Sequence, residues 1–250
     1  MSVTFAYVYD ERLAERKFQR DVSRFEVDLA GFGIAGRIAR LSLFRTAKDT
    51  VEDFQRDGIR HLVIVGDDET LLRMMWFLPD LRMTIGFVPL LGSSVIAPFL
   101  GIKNMKTAVQ ALSGRLSTTF DVGKVGDRHF FTKVVIPDTR AELEIDGKFK
   151  IRPTEGGTIT ITNLGEGSAT DGVLDVSVSV GAPVKRFPWS KPVQPVQTHL
   201  PLTNGQVRSD QPVTLVVDGQ SLQGTSFKVG IIPSKIRFLV GKGRRLARGA

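Results

Sequence analysis

The chain has 250 residues, a formal net charge of +8, 42% hydrophobic and 24% charged residues, and a sequence pI near 9.9. That length supports one large domain or two modest ones with a real core. With no cysteine, disulfide frameworks and thiolate metal sites are excluded, and no apolar run reaches the roughly 18 residues of a membrane span.

The N-terminal stretch MSVTFAYVYDERL lacks the basic and apolar regions of a signal peptide, which makes the cytoplasm the default expectation. The positive charge favours an anionic partner such as a nucleotide or an acidic lipid surface. No zinc finger, RNA-recognition motif or basic zipper is visible, so no nucleic acid partner is expected.

Phe5 to Tyr9 reads as a short strand. Leu13, Phe18, Val22, Phe25 and Leu29 then form one apolar helical face, closing near Gly31. Arg37 to Leu43 reads as a second strand and Ala47 to Arg56 as a second helix. Leu62 to Val65 is a continuous apolar run, the mark of a strand buried on both faces. Gly66 breaks it, and Leu71, Met74, Met75 and Leu78 recur at helical spacing. Met83 to Leu90 gives another strand, and Asn104 is placed to cap a helix from Met105 to Leu112. The alternation predicts a doubly wound α/β domain over residues 1 to 117.

From residue 118 to 250 the pattern becomes strands and turns: Phe130 to Ile136, Ala141 to Ile145, Thr158 to Thr162, Leu174 to Val180, Val213 to Val217, Phe227 to Ile232 and Ile236 to Val240. Asp146-Gly147, Asp171-Gly172, Asn204-Gly205 and Asp218-Gly219 are candidate tight turns. A β-sandwich domain with a basic tail is expected. The insert GAPVKRFPWSKPVQPV reads as a long surface loop.

The turn Gly66-Asp67-Asp68-Glu69-Thr70 carries the chemistry. A strand, a tight turn and a helix start present free backbone N–H groups to an anion. Three consecutive carboxylates there oppose phosphate unless a metal cation or Lys/Arg side chains offset them. His61, His129 and His199 are isolated, so no histidine metal site is expected. Ser93 and Ser94 have no histidine nearby to make a nucleophile.

In order and spacing these segments resemble the diacylglycerol kinase family of lipid kinases, relatives of the NAD kinases. Gly66-Asp67-Asp68-Glu69-Thr70 aligns with the family's GGDGT, with Asp67 and Glu69 where the family has glycine. Pro89-Leu90-Leu91-Gly92-Ser93-Ser94-Val95 aligns with PLGTGND, without its Asn-Asp end. Asp171-Gly172-Val173-Leu174-Asp175-Val176 resembles the DG-x-L-D-V element, and Asp218-Gly219-Gln220 stands in the place of a late DGE.

The resemblance implies ATP-dependent phosphoryl transfer to a lipid hydroxyl, with Mg²⁺. Carried over residue by residue, Gly66, Asp68, Thr70, Gly92, Ser93 and Ser94 would contact nucleotide. Asp218 would be the base or a magnesium-network residue, and Asp171 a magnesium-linked acidic group, although both also read as ordinary turn residues. A catalytically inactive descendant acting as a binding module is the competing expectation. A lipid substrate implies peripheral contact with an anionic inner membrane face, through Lys185, Arg186, Phe187, Trp189 and Lys191 or the Arg-rich tail. A homodimer is compatible with the reading.

Overall fold

The computed structural model describes residues 4–41, 46–153, 157–165, 169–179 and 198–244. The chain forms two compact units, one of residues 1–120 with 234–250 and one of residues 121–233. The basic-aromatic loop around Trp189 and the arginines at 245 and 248 lie outside the described residues.

In unit 1 the elements are β1 (Phe5–Tyr9), α1 (Gln19–Gly31), β2 (Arg37–Arg40), α2 (Ala47–Arg56), β3 (His61–Gly66), α3 (Asp68–Met74), β4 (Thr84–Pro89) and α4 (Met105–Gly114). The strands are parallel in the order β2-β1-β3-β4. That order reverses between β1 and β3, which makes the unit doubly wound. In such sheets ligands bind outside the carboxyl ends of the strands at the reversal.

Burial explains the sequence pattern. Phe5 to Tyr9 and Leu62 to Val65 are fully buried, as continuous apolar runs in a parallel sheet must be. α1 buries Val22, Phe25 and Leu29 on one stripe. Asn104 caps α4, accepting from the Thr107 N–H, with Thr107 returning the bond.

Unit 2 is built from antiparallel strands. After β5 (Ser117–Val125), which begins in unit 1, come β6 (Arg128–Phe130), β7 (Lys133–Ile136), β8 (Glu142–Ile145), β9 (Phe149–Ile151), β10 (Thr158–Thr162), β11 (Leu174–Ser179), β12 (Thr198–Leu202), β13 (Asn204–Val217) and β14 (Gln220–Leu239). β12-β11-β10-β7 form one face. β13 joins β8 through Gly205 to Arg208 and β7 through Val216 and Val217. An irregularity between Arg208 and Val213 lets that one strand serve both layers of the sandwich. Val134, Ile136, Leu143, Ile145, Ile159, Ile161 and Leu215 fill the shared core.

Several local readings change. The strand expected over Phe130 to Ile136 is two strands, because the Phe131, Thr132 and Lys133 amides turn toward one carboxylate, that of Asp218. Asn204-Gly205 is not a turn: both residues begin β13, where they pair with Gly230 and Val229. Asp218-Gly219 is the two-residue turn between β13 and β14, with φ of 47° and 83°, the type I′ geometry that favours Asp-Gly. The expected second domain ran to residue 250, whereas the compact unit ends at Pro233. β14 continues past Pro233 as a parallel neighbour of β4, with Arg237 opposite Thr84 and Phe238 opposite Ile85.

Candidate functional site

The reversal between β1 and β3 places Asp10 and Asp67 at neighbouring strand ends, with the Asp10 N–H donating to the Val65 carbonyl. Asp10 is 1% exposed. A bare carboxylate cannot remain there without partners, and four groups supply them. Arg12 donates from its backbone N–H at 2.9 Å and from Nε at 2.8 Å to Oδ1. Its Nη2 reaches Oδ2 at 3.0 Å. The Thr70 hydroxyl lies 2.6 Å from Oδ2, and Arg73 Nη2 lies 3.3 Å away. Burial pushes the Asp10 carboxyl up, but the hydrogen bonds from Arg12 and Thr70 and the Arg12 charge outweigh it, holding the pKa at about 2.

Asp67 is the N-cap of α3. It accepts from the Thr70 N–H at 2.9 Å, and its own N–H donates to Thr70 Oγ1 at 3.3 Å, a reciprocal capping box. Arg12 Nη2 lies 2.8 Å from its Oδ2. Arg12 therefore supplies a cationic offset to Asp67 in the acidic turn, while Arg73 pairs with Asp10 beside it. Gly66 is required by contact: a Cβ there would lie 2.5 Å from Thr70 Oγ1.

Asp68 faces the second loop. Its carboxylate accepts from the Ser94 hydroxyl and from the Val95 N–H at 2.7 Å. The Gly66 carbonyl takes the N–H groups of Leu90 and Leu91 at 2.8 and 3.1 Å. The two glycine-containing loops are thus laced together, bringing Gly66, Asp68, Thr70, Gly92, Ser93 and Ser94 into one region of unit 1. Gly92 and Ser93 are exposed there, whereas Thr70 is buried and spends its hydroxyl on Asp10 and Asp67.

Beside them lies a cavity of about 590 Å³ lined by Thr46, Lys48, Thr70, Arg73, Trp76 and Phe77, among others. Its volume is in the range that small-molecule sites use. Trp76 is half-exposed, with Lys48 Nζ 5.4 Å from its ring centroid. An aromatic face and two cations suit a base and its phosphates. Arg12, Lys48, Arg73 and Trp76 were not among the expected site residues. The available signal was a basic residue just past the β1 end and others around the turns that follow β2 and β3.

Asp218 and Asp171 lie in unit 2. The Asp218 carboxylate accepts from Phe131 N–H at 2.6 Å, Thr132 N–H at 2.9 Å, Thr132 Oγ1 at 2.5 Å and Lys133 N–H at 2.9 Å. Asp171 Oδ1 accepts from the Val173 N–H at 3.1 Å. Among the described residues no three His, Asp or Glu side chains gather to hold a metal ion. With Asp10, Asp67, Asp68 and Asp218 each bound to protein donors, these residues do not fit a protein-held magnesium site.

No protein-family model matches the sequence, and neither does any curated protein. Solved structures do match. A diacylglycerol kinase from Bacillus anthracis str. Sterne aligns over 97% of this chain and 98% of its own, at 13% identity and a TM-score of 0.74. Two structures of candidate diacylglycerol kinases from the same organism align over 97% of this chain and 99% of their own, at 13% and 12% identity and TM-scores of 0.76 and 0.77. The doubly wound unit, the antiparallel unit and the final strand's return together make the fold of the diacylglycerol kinase-like proteins.

Proposed function

We propose that the protein is a diacylglycerol-kinase-like phosphotransferase that holds ATP on unit 1 and passes a phosphoryl group to the hydroxyl of a diacylglycerol or sphingoid-type lipid. The supporting observation is the cavity at the sheet reversal, whose lining brings Thr70 of the acidic turn together with Lys48, Arg73 and Trp76. Phosphoryl transfer asks a protein mainly for positioning and charge neutralisation. Arg12 and Arg73 contribute the second by offsetting Asp10 and Asp67. The laced loops contribute the first, and Gly92 and Ser93 offer backbone to phosphate.

A second reading has its own support: nucleotide binding without transfer. The Asp218 carboxylate is fully engaged by four donors, and Gln220 stands where the related pattern has a carboxylate. Under this reading the chain binds nucleotide and acts on a partner or membrane surface as a binding module. In either case we read contact with a bilayer as peripheral; no described helix is long and apolar enough to cross one.

Calorimetry with ATP, with and without Mg²⁺, tests the shared part of both readings; no heat at millimolar ATP sinks them together. Labelled ATP presented with diacylglycerol or sphingoid vesicles then separates them. Label appearing in lipid establishes the kinase, and tight binding with no labelled lipid establishes the binding module.

A further inference from the structure

The opposite edge of the unit 1 sheet carries another concavity, about 290 Å³ in volume, whose lining includes Arg82, Thr84, Thr119, Ser234, Lys235 and Arg237. Thr84 opens β4, and Arg237 is its partner across the parallel pairing with β14. The strands all run the same way, so this pocket sits at their N-terminal edge. Six residues of β4 separate it from the loop that carries Gly92, roughly 20 Å of strand. It is not part of the nucleotide cavity.

Its charge is lopsided. Three cations line it, and among the described residues one carboxylate pairs with them: Asp80, 3.0 Å from Lys235 Nζ. The Arg82 backbone N–H donates to Gln55 Oε1, but among the described residues neither the Arg82 nor the Arg237 guanidinium has an ion-pair partner. Three positive charges against one negative leave a formal +2. The hydroxyls of Thr119 and Ser234 stand 3.5 Å apart in the same lining.

Guanidinium forks match pairs of oxygens on a tetrahedral oxyanion, and hydroxyls donate to the others. The volume lies at the small end of ligand sites. It suits a phosphate group with little attached, rather than a nucleoside triphosphate. We infer that this pocket is a binding site for a phosphate dianion, free or as the monoester headgroup of a lipid. The inference stands independently of nucleotide binding, because it uses none of the residues at the other edge.

Nitrogen-15 NMR of the full chain during titration with inorganic phosphate at low ionic strength tests it. Saturable shifts are expected at the Thr84, Ser234 and Arg237 amides. Arg82→Ala with Arg237→Ala should weaken them at least tenfold. Asp80→Asn should tighten binding two- to fivefold by releasing Lys235, a gain that a misfolded variant cannot imitate. Shifts confined to other residues, or no strengthening in Asp80→Asn, would overturn the site.

Vesicle sedimentation separates the two sources. Phosphatidylcholine vesicles containing phosphatidic acid, but not those containing phosphatidylserine, should pellet the protein if the ligand is a lipid monoester. That pelleting should vanish with Arg82→Ala and Arg237→Ala. Saturable phosphate shifts with no pelleting assign the pocket to free phosphate, and pelleting unchanged in the double variant overturns the headgroup assignment.

Discussion

Arg12 and Asp67 meet at 2.8 Å, while the same guanidinium holds Asp10 at 2.8 Å through Nε. One exposed-edge side chain therefore joins the ends of β1 and β3 and settles the charge of both carboxylates.

Arg12→Ala should lower unfolding stability by about 2 kcal/mol. The figure lies between the cost of stripping a buried ion of its partner and the small worth of an exposed pair, since Arg12 is 40% exposed on its side chain and Asp10 is 0%. Arg12→Lys should restore only part, because an ammonium cannot make the forked contact. Urea denaturation reads both variants; a wild-type midpoint in Arg12→Ala would remove the network from the stability account.

Acid should unfold the protein partly through Asp10. Its pKa is lowered from 3.8 to about 2 in the folded state, so its contribution is complete above the unfolded value. The contribution is lost as pH falls from about 4 toward 2, and amounts to about 2 kcal/mol. Asp67, lowered by its bonds to Thr70 and by Arg12 against the opposing effect of burial, loses stability in the same direction. Chemical denaturation at stepped pH should show a shallower acid loss in Asp10→Asn than in wild type. Parallel curves would mean that Asp10 titrates normally.

Asp67→Gly should exchange stability for affinity. The substitution removes the cap on α3, a loss of about 1 kcal/mol, and frees Arg12 from one of its two carboxylates. ATP binding by calorimetry should tighten about tenfold, equivalent to roughly 1.4 kcal/mol. Combining it with Arg12→Ala should cancel that gain. A gain that persists without Arg12 would show that the Asp67 carboxylate alone weakens binding.

Asp218→Ala should destabilise by about 2–4 kcal/mol, since three amides and a hydroxyl lose their acceptor at once. Asp218→Asn keeps one acceptor oxygen and tolerates the left-handed backbone, so it should cost less. Melting curves beside phosphoryl-transfer rates separate the roles. A transfer rate that collapses in a stable Asp218→Asn protein would make this carboxylate chemical rather than architectural.

Periodicity made the α/β half of the chain legible because its signals are local. Leu62 to Val65, the Val22-Phe25-Leu29 stripe and the Asn104 cap each declare themselves within a few residues. The β half was less so. Residues 220–239 form a single strand, although Pro233 and Ser234 read as a break, and Asn204-Gly205 had the composition of a turn while pairing on both sides.

The site was half visible. Its glycine-bearing loops could be found in the sequence, and so could the need for a cation beside the acidic turn. Arg12 as the supplier could not, because its pairing with Asp67 spans 55 positions and depends on β1 lying next to β3. Asp218 shows the same limit: Asp-Gly announces the turn, but the Phe131–Lys133 amides it gathers are 85 to 87 residues away in sequence.

The return of the last strand has a consequence for biosynthesis. Ile236, Phe238, Leu239 and Val240 are buried at 2% or less in a unit whose four other parallel strands, β1 to β4, are all made before residue 90. On the ribosome, the flank of β4 stays uncovered while more than a hundred further residues are translated. The antiparallel unit, contiguous in sequence, can complete its core first. A released fragment ending at residue 233 should therefore resist protease in its second half and be cut readily in its first, an order of maturation opposite to the order of synthesis.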